Sequence, residues 1–220
     1  MKISVASRSF SKNPILRKLI SKNYSNINFN DKGIFLEGND LVNFIHDSDK
    51  AIIALETINE KILKRLPNLK VIGKYGVGLD KIDLKSMSKL NIKLGWTPGV
   101  NRRSVSELTL SFMIQSLRKL RLCQEKILDG DFSQIKGENL TNKTIGIIGC
   151  GNVGKDLVKL LKPFRCKILV YDIISYDNFF IKNKIKKCSF NYLLENSDII
   201  TLHTPLTEKT YKLIGNKEIG

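Results

Sequence analysis

The sequence predicts an α/β protein with two parallel sheets, each flanked by helices on both faces. Three observations predict it. Short apolar, β-branched runs alternate with helical segments along most of the 220 residues. One break, Thr97-Pro-Gly-Val-Asn101, interrupts that rhythm. A strand, a glycine-rich turn and a helix follow in close succession from Lys143.

In the first part, Lys2 to Ala6 reads as a strand and Pro14 to Lys22 as a helix, with proline in its first turn. Ile27 to Phe29 is a weak strand and Asp40 to His46 a short helix. Ala51 to Leu55 is a buried strand. Asn59 to Leu66 is a helix stopped by Pro67. Leu69 to Gly73 and Ile92 to Gly95 complete a small parallel sheet. The turn between the last two strands contains Gly76 and Gly78. Two glycines there free the backbone to present N–H groups at a strand exit, a nest that suits a small carboxylate, with Lys74 as an added cation. A capping loop without a ligand explains the same residues equally well.

After the break, Ser104-x-x-Glu107 reads as a capping box. It opens one long helix over residues 104–129, with Val105, Leu108, Phe112, Leu117 and Leu120 as its apolar stripe and Gly130 at its end. Such a helix bridges domains or packs on a second subunit. Arg102 and Arg103 stand at its entrance, placed to meet a phosphate or simply to be solvated.

Thr144 to Ile148 is the next strand. Gly149, Gly151 and Gly154 spell G-x-G-x-x-G at its exit, and Asn152 to Pro163 reads as a helix with Val153, Leu157, Leu160 and Leu161 on one side. Lys167 to Tyr171 follows as a strand ending in Asp172. Each glycine has a reason: a tight turn, room for a pyrophosphate, and close helix–strand packing. The helix start supplies N–H groups and a positive dipole end. Asp172 is placed to accept hydrogen bonds from a ribose, and without an arginine beside it favours NAD over NADP. This unit predicts a Rossmann dinucleotide-binding fold with NAD as cofactor. Ile185 to Cys188, a helix around Tyr192 to Glu195, and the strand Asp198 to Leu202 continue it. Thr204 and Pro205 then emerge at the cofactor crevice, and Lys209 to Leu213 opens another helix.

Composition narrows the function. The net charge is +16, but the cations are mostly lysine and spread along the chain, often beside Asn and Ile. Base-edge and bidentate phosphate recognition favours clustered arginine, so a nucleic-acid partner is disfavoured. No apolar run reaches the roughly 18 residues of a membrane span. The four cysteines form no C-x-x-C pair, which argues against a zinc site and fits a reducing, cytoplasmic setting. No metal site is expected. Cys150 reads as a small residue that fits the glycine turn.

Four blocks resemble the D-isomer-specific 2-hydroxyacid dehydrogenases, the phosphoglycerate dehydrogenase group in particular. They are Tyr75 to Asp83, Asn101 to Leu108, Thr144 to Gly154 and Ser197 to Thr207. The resemblance implies a flavodoxin-like substrate domain over residues 1–98 and an incomplete Rossmann NAD domain over residues 99–220. It implies Gly76 and Val77 as backbone donors to a substrate carboxylate, with Asn101 as a substrate-side residue. It implies Asn152 and Val153 at the pyrophosphate, Asp172 at the ribose, and Thr204 and Pro205 along the cofactor. It also implies a homodimer through helix 104–129 and hydride transfer between a 2-hydroxy acid and nicotinamide.

The family's catalytic Arg, Glu and His fall in segments after Gly220, so no catalytic residue is expected in this chain and the chain reads as truncated. His203 belongs to the last strand block, and His46 reads as a surface residue; neither is the family's acid–base histidine. The phosphoglycerate group's arginine after the strand ending at Leu55 is missing. The alternative is a non-catalytic NAD-binding remnant.

Overall fold

A computed structural model describes residues 1–219. The chain divides into two compact units, Met1–Val100 and Asn101–Gly220. The boundary falls inside the turn over residues 98–101, slightly beyond the position expected from Pro98.

The first unit runs β1 (Ile3–Val5), α1 (Arg8–Lys12), α2 (Pro14–Ser21), β2 (Ile27–Phe29), α3 (Gly38–Ile45), β3 (Lys50–Ile53), α4 (Glu60–Leu63), β4 (Val71–Lys74), α5 (Leu84–Lys89) and β5 (Lys93–Gly95). The sheet order is β2-β1-β3-β4-β5, all parallel, which is the flavodoxin-like order. Local chemistry sets the helix starts. Asn13 accepts from the N–H groups of Ile15 and Leu16 ahead of Pro14, and Asn59 accepts from Ile62. Ile45, Ile53, Ile58, Leu63, Leu66 and Ile72 are fully buried in one core. The short helices α1 and α5 carry no apolar period long enough to be read from sequence.

The second unit runs α6 (Arg102–Leu117), α7 (Leu120–Leu128), β6 (Thr144–Ile148), α8 (Asn152–Leu161), β7 (Lys167–Tyr171), α9 (Asp177–Lys182), β8 (Lys186–Lys187), α10 (Phe190–Asn196), β9 (Ile199–Leu202) and α11 (Asn216–Ile219). Its sheet order is β8-β7-β6-β9, again parallel. The central strand β6 alternates cleanly. Ile145 and Ile147 join Met113, Leu157 and Leu161, while Ile148 joins Leu169 and Leu193. Helices therefore cover both faces, with α6 and α8 on one and α10 on the other. Among the described residues β9 pairs only with β6, and its Ile200 and Leu202 are exposed, an apolar edge.

Four expectations are corrected. The helix over 104–129 is two helices, broken where Lys119 takes φ 52°. The Leu117 carbonyl released by the break accepts from the Glu138 N–H at 2.9 Å. A crossing segment, invisible to local pattern, thus supports the interruption.

The capping box is not used. α6 begins at Arg102 with Asn101 as its cap residue, and no side-chain cap bond forms. The stripe also turns: Ser106 and Met113 are buried, with Leu110, Ile114 and Leu117 packed on that core, while Leu108, Phe112 and Leu120 are exposed. Finally, residues 209–213 form turns rather than a helix. The Thr210 hydroxyl bonds the Pro205 carbonyl and accepts from the Thr207 N–H, offering the backbone a local alternative to helix.

Candidate functional site

At the exit of β6 the three glycines do different work. Gly149 has φ +91°, and a Cβ there would lie 2.8 Å from the His203 carbonyl oxygen. The turn thus presses directly on the exit of β9. A Cβ on Gly154 would lie 2.5 Å from the Gly149 carbonyl oxygen, so the third glycine lets α8 sit against the turn. At Gly151 a Cβ would meet nothing within 4 Å.

The middle glycine therefore borders open space, as a backbone approached by a phosphate requires. No side chain caps α8 at Gly151. Its first-turn N–H groups have no intrahelical acceptor and carry the positive end of the helix dipole. The ten-residue helix is held from behind. The Ser106 hydroxyl donates to the Val153 carbonyl at 3.3 Å, and Arg103 pairs with buried Asp156 at 3.0 Å. Arg103, a candidate for meeting a phosphate, is thus engaged in fixing α8.

Asp172 reaches this turn. Its Oδ2 accepts from the Cys150 N–H at 2.6 Å and its Oδ1 from the Ile174 N–H at 2.8 Å. The carboxylate is thereby held over the glycine turn at the end of β7. Cys150 is fully buried, and burial first, then the Asp172 charge, push its thiol up to about 11. It packs as a neutral thiol.

Lys155 and Tyr176 form a neighbouring wall that sequence reasoning did not single out. The Lys155 ammonium lies 3.2 Å from the centroid of the Tyr176 ring. These two residues line a groove with Ser175, Asp177, Asn178 and Phe179. Burial, with a smaller effect from Asp172, raises the Tyr176 pKa. The only prior signal was the position of Lys155 just after the third glycine.

On the other side, the Thr204 methyl lies 3.0 Å from where a Gly149 Cβ would be. Pro205 follows, exposed. His203 Nε2 shares a hydrogen bond with the Thr201 hydroxyl at 3.0 Å, and burial lowers its pKa. His46 is exposed beside Asp47. Among the described residues no group of three or more His, Cys, Asp or Glu could hold a metal ion.

In the first unit, the turn after β4 is anchored at both ends. The Tyr75 N–H donates to the Ile53 carbonyl, and Ile58 bridges to Ile82. Gly76 has φ +130°, a conformation that L side chains rarely adopt. The Trp96 indole donates to the Val77 carbonyl at 3.0 Å, which orients that peptide. Among the described residues the N–H groups of Gly76, Val77 and Gly78 donate to no protein acceptor. Lys74 donates to the Ala54 carbonyl, and Glu56 accepts from the Ala54 N–H at 2.6 Å. Asn101 begins the second unit with its side-chain oxygen buried and without a partner.

The second unit thus has the strand order, the open glycine cradle, the uncapped helix start and the ribose-side carboxylate of a dinucleotide-binding domain. Residues 110–220 match the family model described as the D-isomer specific 2-hydroxyacid dehydrogenase, NAD binding domain. The chain belongs to that family, and its second unit is an NAD-binding domain.

It is 34% identical to a glyoxylate reductase of Thermofilum pendens, over 82% of this chain and 56% of that protein. It is 32% identical to a hydroxypyruvate reductase of Thermotoga maritima, over 84% of this chain and 60% of that protein. The chain therefore spans little more than half the length of these relatives. The crystal structure of NAD⁺-bound 3-phosphoglycerate dehydrogenase from Entamoeba histolytica is 31% identical, with TM-score 0.79, covering 100% of this chain and 67% of that one.

Proposed function

We propose that this protein acts as an NAD-dependent oxidoreductase of D-2-hydroxy acids. The observation that carries the reading is the open position at Gly151, bounded by the free start of α8 and the Asp172 carboxylate. Gly151, Asn152, Val153 and Gly154 would present backbone N–H groups to the pyrophosphate, and Gly149, whose own N–H donates to the Tyr171 carbonyl at 2.9 Å, would shape the turn that admits it. Asp172 would exchange its bond to Cys150 or Ile174 for ribose hydroxyls, and Thr204 and Pro205 would flank the dinucleotide. When bound, NAD supplies a nicotinamide that takes or gives hydride.

In the first unit, Gly76 and Val77 would donate to the carboxylate of a 2-hydroxy or 2-oxo acid, with Lys74 beside them; Asn101, the first residue of the second unit, would be a substrate-side residue. Residues 1–98 would form the substrate domain and residues 99–220 the NAD domain. The exposed Leu108 and Phe112 of α6, with Leu120, Ile127 and Leu128 of α7, would cover a second copy in a homodimer. Among the described residues no helix is long and apolar enough to cross a membrane. A cytoplasmic setting agrees with four free cysteines.

The test has two readouts. NAD should raise the melting temperature of the chain, and a longer chain carrying the family's Arg, Glu and His segments should oxidise NADH with one or more members of a panel of 2-oxo acids. No cofactor-dependent shift would remove the NAD assignment. A shift without turnover on any acid would favour an NAD-binding protein that does not catalyse.

A further inference from the structure

We propose that the first unit selects a 2-oxo acid bearing one carboxylate and discriminates against its phosphate ester, because Lys74 closes the end of β3 and does not stand free to take a second anion. This rests on the oxo-acid reading above and names its substrate class.

The argument starts at Ala54, where β3 has just ended. A strand exit leaves backbone polar groups without ladder partners, and buried ones must be paired. At Ala54 side chains from two directions pair both groups. The Glu56 carboxylate takes the N–H at 2.6 Å, and the Lys74 ammonium takes the carbonyl. Glu56 is 1% exposed. A buried carboxylate is retained when it is hydrogen-bonded and answered by charge, and Lys74 supplies that charge.

The lysine stem also runs back along the turn. A Cβ on Gly76 would lie 3.8 Å from Lys74 Cε. The ammonium is thus drawn toward Ala54. Burial lowers the Lys74 pKa, and Asp80 and Glu56 oppose that shift as the nearby negative groups.

Charges of both signs surround the turn. Asp80 lies against it, with Oδ1 2.9 Å from where a Gly78 Cβ would be. The charges that act on Lys74 are those of Asp80 and Glu56, with Lys81 opposing them. Lys81 itself lies 5.9 Å from the Phe35 ring, and the Arg8 guanidinium 5.4 Å from the same ring. Such contacts hold exposed cations only loosely, so these two are what a phosphate would have to recruit. The backbone N–H groups of Gly76, Val77 and Gly78 suit one carboxylate. A phosphate dianion in addition would face the Glu56 and Asp80 carboxylates, with Lys74 drawn to the Ala54 carbonyl and only the loosely held Lys81 and Arg8 to answer it.

Glu56 is a positioning residue here, since it acts through Lys74. The experiment measures binding of hydroxypyruvate and of its phosphate ester to the whole chain saturated with oxidised NAD, where neither acid can be reduced. Hydroxypyruvate should bind at least tenfold more tightly than the ester; equal or tighter binding of the ester overturns the proposal.

Glu56→Gln keeps an acceptor for the Ala54 N–H but removes one of the two negative charges that act on Lys74. It should narrow the ratio at least fivefold through a gain by the ester, a selective change that general loosening does not produce. Should that variant fail to fold, Asp80→Asn tests the same balance. An unchanged ratio in the folded variant overturns the proposal. If neither acid binds, the oxo-acid reading has failed, and phosphorus NMR with inorganic phosphate decides this one. The folded variant must bind phosphate at least fivefold more tightly than the parent chain, and no difference overturns it.

Discussion

The molecule has two glycine-rich turns, each at the exit of a parallel strand, and they come to opposite ends. The turn at Gly149–Gly154 runs directly into α8, whose start no side chain caps. The turn at Gly76–Gly78 runs on to α5, whose start is closed by Asp83. That carboxylate accepts from the Ser86 N–H at 3.0 Å and from the Ser86 hydroxyl at 2.7 Å. The first turn keeps a helix dipole for a ligand, and the second leaves only loop N–H groups. A glycine spacing therefore says little about anion binding until the next helix start is inspected. A capped start is a satisfied one.

The largest expected effect breaks the first turn outright. Gly154→Val should abolish NAD binding and destabilise the chain by about 3 kcal/mol, because the new Cβ overlaps a backbone oxygen that cannot swing away. Denaturant unfolding and an NAD titration measure the two effects together.

Gly151→Ala separates them. Its Cβ enters open space, so stability should stay within about 0.5 kcal/mol of the parent. NAD affinity should fall on the order of tenfold, since the methyl sits where the phosphates approach and one lost interaction of about 1.4 kcal/mol has that effect. Unaltered affinity would show that the cradle lies elsewhere.

Asp83→Ala tests the second turn. Loss of the cap should cost about 1 kcal/mol and leave NAD affinity where it was. A change in NAD affinity would mean that the two turns are not independent.

The smallest effects are in pH. Burial lowers the His203 pKa, so the unfolded chain takes up a proton that the folded chain resists. Stability should decline as pH falls through about 6.5 toward the folded value, and His203→Gln should flatten that decline. Cys150 has the opposite sign. Its raised pKa contributes stability that is lost as pH climbs from about 9 to about 11, and its thiol should resist alkylation at pH 8 until the chain unfolds.

Much of this was legible in the residues. The β-branched runs at β1, β3, β6 and β7 and the three glycines of the second unit act over a few neighbours, so local pattern reports them. Asp172 was legible as a strand-end carboxylate beside the glycine turn. Lys155 and Tyr176 were not, because they meet only once α9 folds back over the start of α8. In α6 the sequence shows two apolar stripes, and period alone does not say which one goes inside. Packing chose Leu110, Met113, Ile114 and Leu117, and Ser106 could join them because its hydroxyl reaches the Arg102 and Val153 carbonyls.

The order of the strands, the two glycine turns and the kind of cofactor were set by the sequence alone, since each depends on residues close together in the chain. Where Lys74 points, where the helix after Asn101 breaks and which helix start stays open were decided only by the tertiary fold. Each depends on partners such as Ala54 and Glu138 that are brought near by folding, and a side chain that must satisfy a distant buried group takes its direction from that group.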